Sequence, residues 1–132
     1  MDLQIINIAS NVKYNKEIKN FTHKSRFKNA LCGDQIEIRL IVNKQKIEDI
    51  GYQCKSCIYC QASASLLAKI SINKHLNKIK ETINIALDFF VGSDFNLNKD
   101  LKKFKYILNK KNISRKECIL LPFKTLKKAI QE

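Results

Sequence analysis

The apolar residues of this chain change their spacing once, and that change limits the folds open to it. In "DQIEIRLIV", residues 34–42, Ile36, Ile38, Leu40 and Val42 take every second position and alternate with Glu37, Arg39 and Ile41. A period of two puts those four side chains on one face of a β-strand. A polar turn at 43–45 leads into a second strand over 46–52. Ile47 and Ile50 have opposite parity there, so the spacing predicts a bulge. From Ala62 the period is helical. Leu66, Leu67 and Ile70 recur at i, i+1 and i+4, among Ala62, Ala64 and Ala68.

The remaining segments follow that division. A helix is expected over 76–90, with Ile79, Ile83, Ala86, Leu87 and Phe90 on one stripe and Gly92 as its stop. Another is expected near 100–108, carried by Leu101, Phe104 and Leu108, and a last one over 116–131, carried by Leu126, Ala129 and Ile130. Pro122 lacks the N–H that would bond the carbonyl of residue 118 and costs least in a first turn. That places Cys118 at or just before the start of the last helix. Ahead of the sheet, Leu3, Ile6, Ile8, Val12 and Ile18 suggest an N-terminal helix over 3–18, and a short edge strand is expected near Phe27. An antiparallel sheet followed by a run of helices is an α+β pattern. With no linker-like segment or internal repeat in 132 residues, one domain spanning 1–132 is expected.

No run of apolar residues is long enough for a membrane span, and the first twenty residues lack the basic-then-apolar pattern of a signal peptide. A reducing, cytoplasmic setting is therefore expected. There, five cysteines point to metal binding or thiol chemistry rather than to disulfides. The net charge of +13 comes mostly from lysine and is spread along the chain, together with many Ile and Asn residues. Coding bias explains such a composition as well as a binding surface does. No zinc-finger spacing, ribonucleoprotein-type aromatic motif or Gly-rich phosphate loop accompanies the charge, so nucleic acid is not the expected partner. An acidic protein is an equally good match.

Cys54, Cys57 and Cys60 form Cys-x2-Cys-x2-Cys, which resembles part of a ferredoxin run. The run is incomplete, because Ala64 stands where a fourth cysteine would be needed. A cluster held by this segment alone is disfavoured. Cys57 instead sits where a strand has ended and a helix is about to begin, and helix N-termini favour thiolates, the form that binds metals and attacks sulfur. Cys118 is expected at another helix start. Cys32 immediately precedes a strand, followed by Gly33 and Asp34. Three cysteines and a carboxylate at turning points of the chain can converge on one metal. The donor set S3O suits tetrahedral Zn²⁺ and equally an iron–sulfur cluster. His23 and His75 have no metal-ligand spacing and are expected at the surface. Ser63 and Ser65, without a His/Asp partnership, are expected to cap or pack the helix.

Three strings, "NALCGDQIEIRL", "CIYCQASASLLAKI" and "RKECILLPFKTLKKAI", resemble in order and spacing the motifs of the NifU/IscU/SufU-type iron–sulfur cluster assembly scaffolds. The resemblance covers about residues 27–130 and implies an IscU/SufU-like α+β fold, a small antiparallel sheet with helices packed on it. It implies a site of Cys32, Asp34, Cys57 and Cys118, with Cys54 and Cys60 as extras. Cys60 is left as either a buried helix residue or a spare ligand. The implied activity is that of a scaffold rather than an enzyme. A cysteine desulfurase delivers persulfide sulfur to Cys118 or Cys57, iron binds, a [2Fe–2S] cluster forms, and Asp34 keeps it labile for transfer to recipient apo iron–sulfur proteins. The sequence departs from the IscU branch at Glu117, where that branch has His, and it lacks that branch's Leu-Pro-Pro-Val-Lys segment. "CILLPFKTL" is closer to the SufU and NifU-like branches. That similarity implies the alternative of a zinc-dependent sulfurtransferase relaying persulfide sulfur.

Overall fold

The computed structural model describes residues 3–30, 33–92 and 99–131. Its sheet has three antiparallel strands in the order β1-β2-β3: β1 is His23–Lys28, β2 is Gln35–Asn43 and β3 is Lys46–Lys55. β2 lies in the centre, and its alternation is seen directly in burial. Ile36, Ile38 and Leu40 are buried on one face, while Glu37 and Arg39 lie on the other. The β2–β3 turn places Lys44 and Gln45 at φ 53° and 65°. Two successive left-handed residues match the twist of the flanking strands, although neither carries the Asn-Gly chemistry that favours such turns. Register shifts between Ile41, paired with Asp49, and Val42, paired with Ile47, leaving Glu48 extra. This is the expected bulge, and it turns Ile47 and Ile50 to the same buried face despite their parity.

Four α-helices complete the fold: α1 (Leu3–Ala9), α2 (Ile58–Ser71), α3 (Leu76–Asp88) and α4 (Lys116–Ile130). α4 packs on β1 and β2, and α2 packs beside it on β3, so these two helices form a layer over the apolar face of the sheet. α1 lies against α2 and α3 against α4. The buried apolar side chains form one cluster, in which Phe104 and Phe123 meet at 5.3 Å between ring centroids. α2 is buried on nearly every side because it sits between α1, α4 and the sheet, which explains its run of Ala and Ser. Among the described residues, no helix is long and apolar enough to cross a membrane.

Several boundaries differ from the sequence expectation. The N-terminal helix ends at Ala9 instead of reaching 18, and residues 14–18 run on past the edge and outer face of β3. β3 extends to Lys55, and α3 stops at Asp88. The segment near 100–108 forms a 3₁₀ turn, Leu101–Phe104, rather than an α-helix. α2 begins at Ile58, four residues ahead of the expected Ala62, because Ile58, Tyr59 and Cys60 also pack into the core cluster. Pro122 lies inside α4, well past its first turn. A 3₁₀ segment, Lys110–Arg115, feeds directly into that helix. At the disturbed turn Ser63 on α2 donates its hydroxyl proton to the Ile119 carbonyl at 2.7 Å. The bond ties α4 to α2 at the turn that contains Pro122.

Candidate metal and thiol site

The β1–β2 connection delivers the carboxylate. The Asn29 amide donates to the Asp34 carbonyl at 2.7 Å, and the Gly33 amide donates to the Asn29 carbonyl at 2.8 Å. Closing so tight a loop puts Gly33 at φ 77°, a left-handed conformation that glycine adopts without a Cβ penalty. The loop drives the Asp34 side chain inward until it is 7% exposed. Its Oδ1 accepts from the Cys57 backbone N–H at 3.2 Å. Its Oδ2 is buried with no hydrogen-bond partner among the described residues.

The thiols come from two helix starts. Cys57 is the N-cap residue of α2, half-buried, and its side chain makes no capping bond, so the sulfur stays available. Cys118 is the third residue of α4 and is buried. One carboxylate oxygen of Asp34 and the two sulfurs lie within 4.8 Å of one another. This spacing lets small side-chain rotations bring all three onto one ion at the usual bond lengths, about 2.3 Å for Zn–S and about 2.0–2.2 Å for Zn–O. A buried carboxylate oxygen without a partner is a costly arrangement that a cation or a cluster iron would satisfy. The donor chemistry and the orphaned oxygen therefore both fit a thiophilic metal. Cys32, the fourth residue expected here, lies outside the described residues.

The two extra cysteines stand apart from this cluster. Cys60 is fully buried in the first turn of α2, and burial pushes its thiol far up. Of the two alternatives for Cys60, the structure has the buried helix residue. Cys54 is half-buried near the end of β3, and burial raises its thiol too. His75 is the exposed N-cap of α3, and His23 is half-buried beside the Thr22 hydroxyl at 2.8 Å. Ser65, like Ser63, packs its helix against the rest of the chain by donating to the Asn11 carbonyl at 2.9 Å.

Two pairs near the site were not singled out from sequence. The Arg115 guanidinium sits 5.4 Å from the centre of the Tyr59 ring, joining the entry to α4 with the first turn of α2. Glu117, next to Cys118, pairs with Lys124 at 3.2 Å. The signal for the first pair was present in the spacing. Tyr59 lies two residues after Cys57 and Arg115 three before Cys118, so elements that bring the thiols together also bring these side chains together.

The family model for the NifU-like N-terminal domain matches residues 4–92. The chain belongs to this family. A Thermotoga maritima protein named as the iron–sulfur cluster assembly scaffold protein IscU is 30% identical over 97% of this chain and 90% of its own length. The zinc-dependent sulfurtransferase SufU of Bacillus subtilis is 24% identical over 88% of this chain and 80% of its own. Among solved structures, the scaffold protein described for the SUF system of Fervidobacterium islandicum superposes with a TM-score of 0.86 at 25% identity, covering 98% of this chain and 96% of that one. The NifU-like N-terminal protein of Brucella abortus, at 18% identity and a TM-score of 0.83, shares the fold. The expected α+β architecture, three antiparallel strands with helices packed on them, is thus that of the NifU-like family.

Proposed function

We propose that this chain is a scaffold on which iron–sulfur clusters, of the [2Fe–2S] type, are assembled and from which they are transferred. Its sulfur comes from a cysteine desulfurase, and its products go to recipient apo proteins in the cytoplasm. The observation that carries this is the convergence of the Asp34 carboxylate with the Cys57 and Cys118 sulfurs, each brought from a distant part of the chain. Cys32 joins them as the fourth ligand, and the whole chain, 1–132, acts as one domain. The names of the Thermotoga and Fervidobacterium relatives support the same reading.

In the chemistry this implies, the thiolate of Cys118 or Cys57 attacks the outer sulfur of a desulfurase persulfide. The S–S bond breaks, the desulfurase thiolate leaves, and the sulfane sulfur passes to the scaffold without net redox change. Converting that sulfur to sulfide takes two electrons from an external reductant. Ferrous iron is the other substrate. The Cys57 and Cys118 thiolates anchor it. Asp34, a harder and more exchangeable ligand than a thiolate, keeps the assembled cluster transferable.

The same donors suit Zn²⁺, and the resemblance to the Bacillus SufU supports a second reading, a relay of persulfide sulfur without cluster building. Bound zinc would hold the thiols deprotonated as ligands. Anaerobic incubation with ferrous iron, cysteine, a cysteine desulfurase and a reductant separates the two. Stoichiometric iron and sulfide with a [2Fe–2S] absorption spectrum support the scaffold. Tightly held zinc, stimulation of the desulfurase and no cluster would reject it in favour of the relay.

A further inference from the structure

The face of the sheet turned away from the helices is covered at one end only. Residues 16–21 cross it there. The Lys16 carbonyl lies over Gly51, Glu17 pairs with Arg39 at 3.3 Å, and the Phe21 ring stacks 4.8 Å from the Arg39 guanidinium. At the other end, where β3 leads into Cys57, the cover stops and leaves a groove of about 560 Å³. Arg26, Gln35, Glu37, Gln53, Cys54 and Lys55 line it.

Its electrostatics are one-sided. Glu37 is the only carboxylate among the lining residues, and three cations already claim it: Arg39 at 3.1 Å, Arg26 at 3.4 Å and Lys24 at 3.9 Å. One row further toward the thiols, Gln35 is flanked in register by Lys28 on β1 and Lys55 on β3. Both lysines are exposed, and neither has an ion-pair partner among the described residues. The rim also carries a spare backbone donor. The Tyr52 amide points away from β2 and donates to the Tyr14 carbonyl at 3.0 Å. By the two-residue period of a strand, the Cys54 amide points the same way, and it has no acceptor among the described residues.

We propose that this groove is the docking site for an acidic, extended segment of a partner protein. Its carboxylates would meet Lys28, Lys55 and Arg26. The Gln35 and Gln53 carboxamides and the Cys54 N–H would take up its backbone, as an open strand edge does in peptide recognition. The lining residues include no aromatic ring on which a base could stack, which favours a peptide over a single-stranded nucleic acid. A segment seated here reaches Lys55, two residues before Cys57, so it would hold its parent protein over the thiols. The proposal rests on the groove and not on the cluster reading, and it is tested on the metal-free protein.

The probe is a fluorescein-labelled hexaglutamate peptide, titrated near physiological ionic strength. Saturable binding is expected, with amide shifts of the isotope-labelled full chain concentrated at Gln35, Gln53, Cys54 and Lys55. The K28E/K55E double variant should bind about tenfold more weakly. The K78E/K80E variant makes the same change of charge on exposed positions of α3, and its affinity should stay within about threefold. Equal losses in both variants would show diffuse attraction to the +13 chain and overturn the proposal. So would shifts centred on another face in the unmodified protein, a measurement that needs no variant to fold. Displacement from these amides by an oligothymidylate at lower concentration than the peptide itself would also overturn it.

Discussion

Asp34 commits one carboxylate oxygen to the Cys57 amide and leaves the other buried without a partner among the described residues. An unsatisfied buried acceptor costs about 1–3 kcal/mol, and more when charged, so a fold retains one where a ligand completes it. That ligand should depend on Cys57 and not on Cys54, whose sulfur is outside the group formed with Asp34 and Cys118. Cys57→Ser is therefore expected to abolish tight metal binding, and Cys54→Ser to leave it largely intact, by metal analysis and chelator competition. The opposite pattern would mean that the sulfurs have been assigned in the wrong register. The sequence points to this grouping through the turning-point positions expected for Asp34, Cys57 and Cys118, and it separates Cys57 from Cys54 through the resemblance to the NifU-like motifs. The fate of Cys60 was not legible in the same way. It turns on where α2 starts, and the helix start depends on Ile58 and Tyr59 finding the core. Glu37 makes a separate point about acid. Burial raises its pKa, but hydrogen bonding and charge from Arg39, and then from Arg26, outweigh that and hold the carboxyl below its usual range. A group whose folded pKa is depressed stabilises the fold above its unfolded value and loses that contribution as pH falls through the folded one. Glu37→Gln should therefore shrink the fall in Tm between about pH 6 and about pH 3. An equal fall in both proteins would contradict this account.

At the scale of elements, the sheet was legible and the ends of the helices were not. Alternation in β2 and the parity clash in β3 are local properties, so the strand, the hairpin and the bulge at Glu48 could be placed before any tertiary contact was known. Pro122 shows the opposite case. A proline costs least in a first turn, but α4 starts six residues before it: the 3₁₀ turn at Lys110–Arg115 runs directly into the helix, and Ser63 ties that helix to α2 through the Ile119 carbonyl. Neither influence leaves a local signature. The N-terminal segment is similar. Its apolar residues suggested one long helix, whereas residues after Ala9 serve as a cover for the edge and outer face of β3. That cover needs a glycine beneath it. A Cβ at position 51 would lie 2.6 Å from the Lys16 carbonyl oxygen and 3.1 Å from Ile18, and the first of these is backbone that must move. Gly51→Ala is expected to destabilise the fold by about 1–3 kcal/mol, as overpacking does elsewhere. Denaturant unfolding measures it. An unchanged midpoint would mean that the cover lifts freely and contributes nothing to the fold.

For the whole molecule the dominant long-range property is charge. Twenty-five Lys and Arg residues face twelve Asp and Glu residues, so even complete pairing leaves thirteen cations without a partner. Unlike the pairs of Glu37 and Asp100, pairs such as Lys16–Asp49 and Lys124–Glu117 are solvent-accessible on both sides. Pairs of that kind contribute about 0–1 kcal/mol each. Repulsion among the remaining cations opposes compaction and acts over roughly 10 Å at moderate ionic strength. Added salt weakens both terms, and the balance decides the sign. The exposed pairs lose little because they contribute little, while the repulsion is summed over many separations that screening shortens. Raising sodium chloride from about 20 mM to about 300 mM, where screening tightens several-fold, should therefore raise Tm. A protein held together by its ion pairs would show a fall instead, and a fall would overturn this balance. The same titration bears on the outer face of the sheet. Lys28 and Lys55 flank Gln35 in one row and add to the repulsion in the free protein, so replacing both with glutamate should raise Tm at low salt and reduce its salt dependence. The two lysines would then be a cost to the fold that only an acidic occupant of the groove relieves.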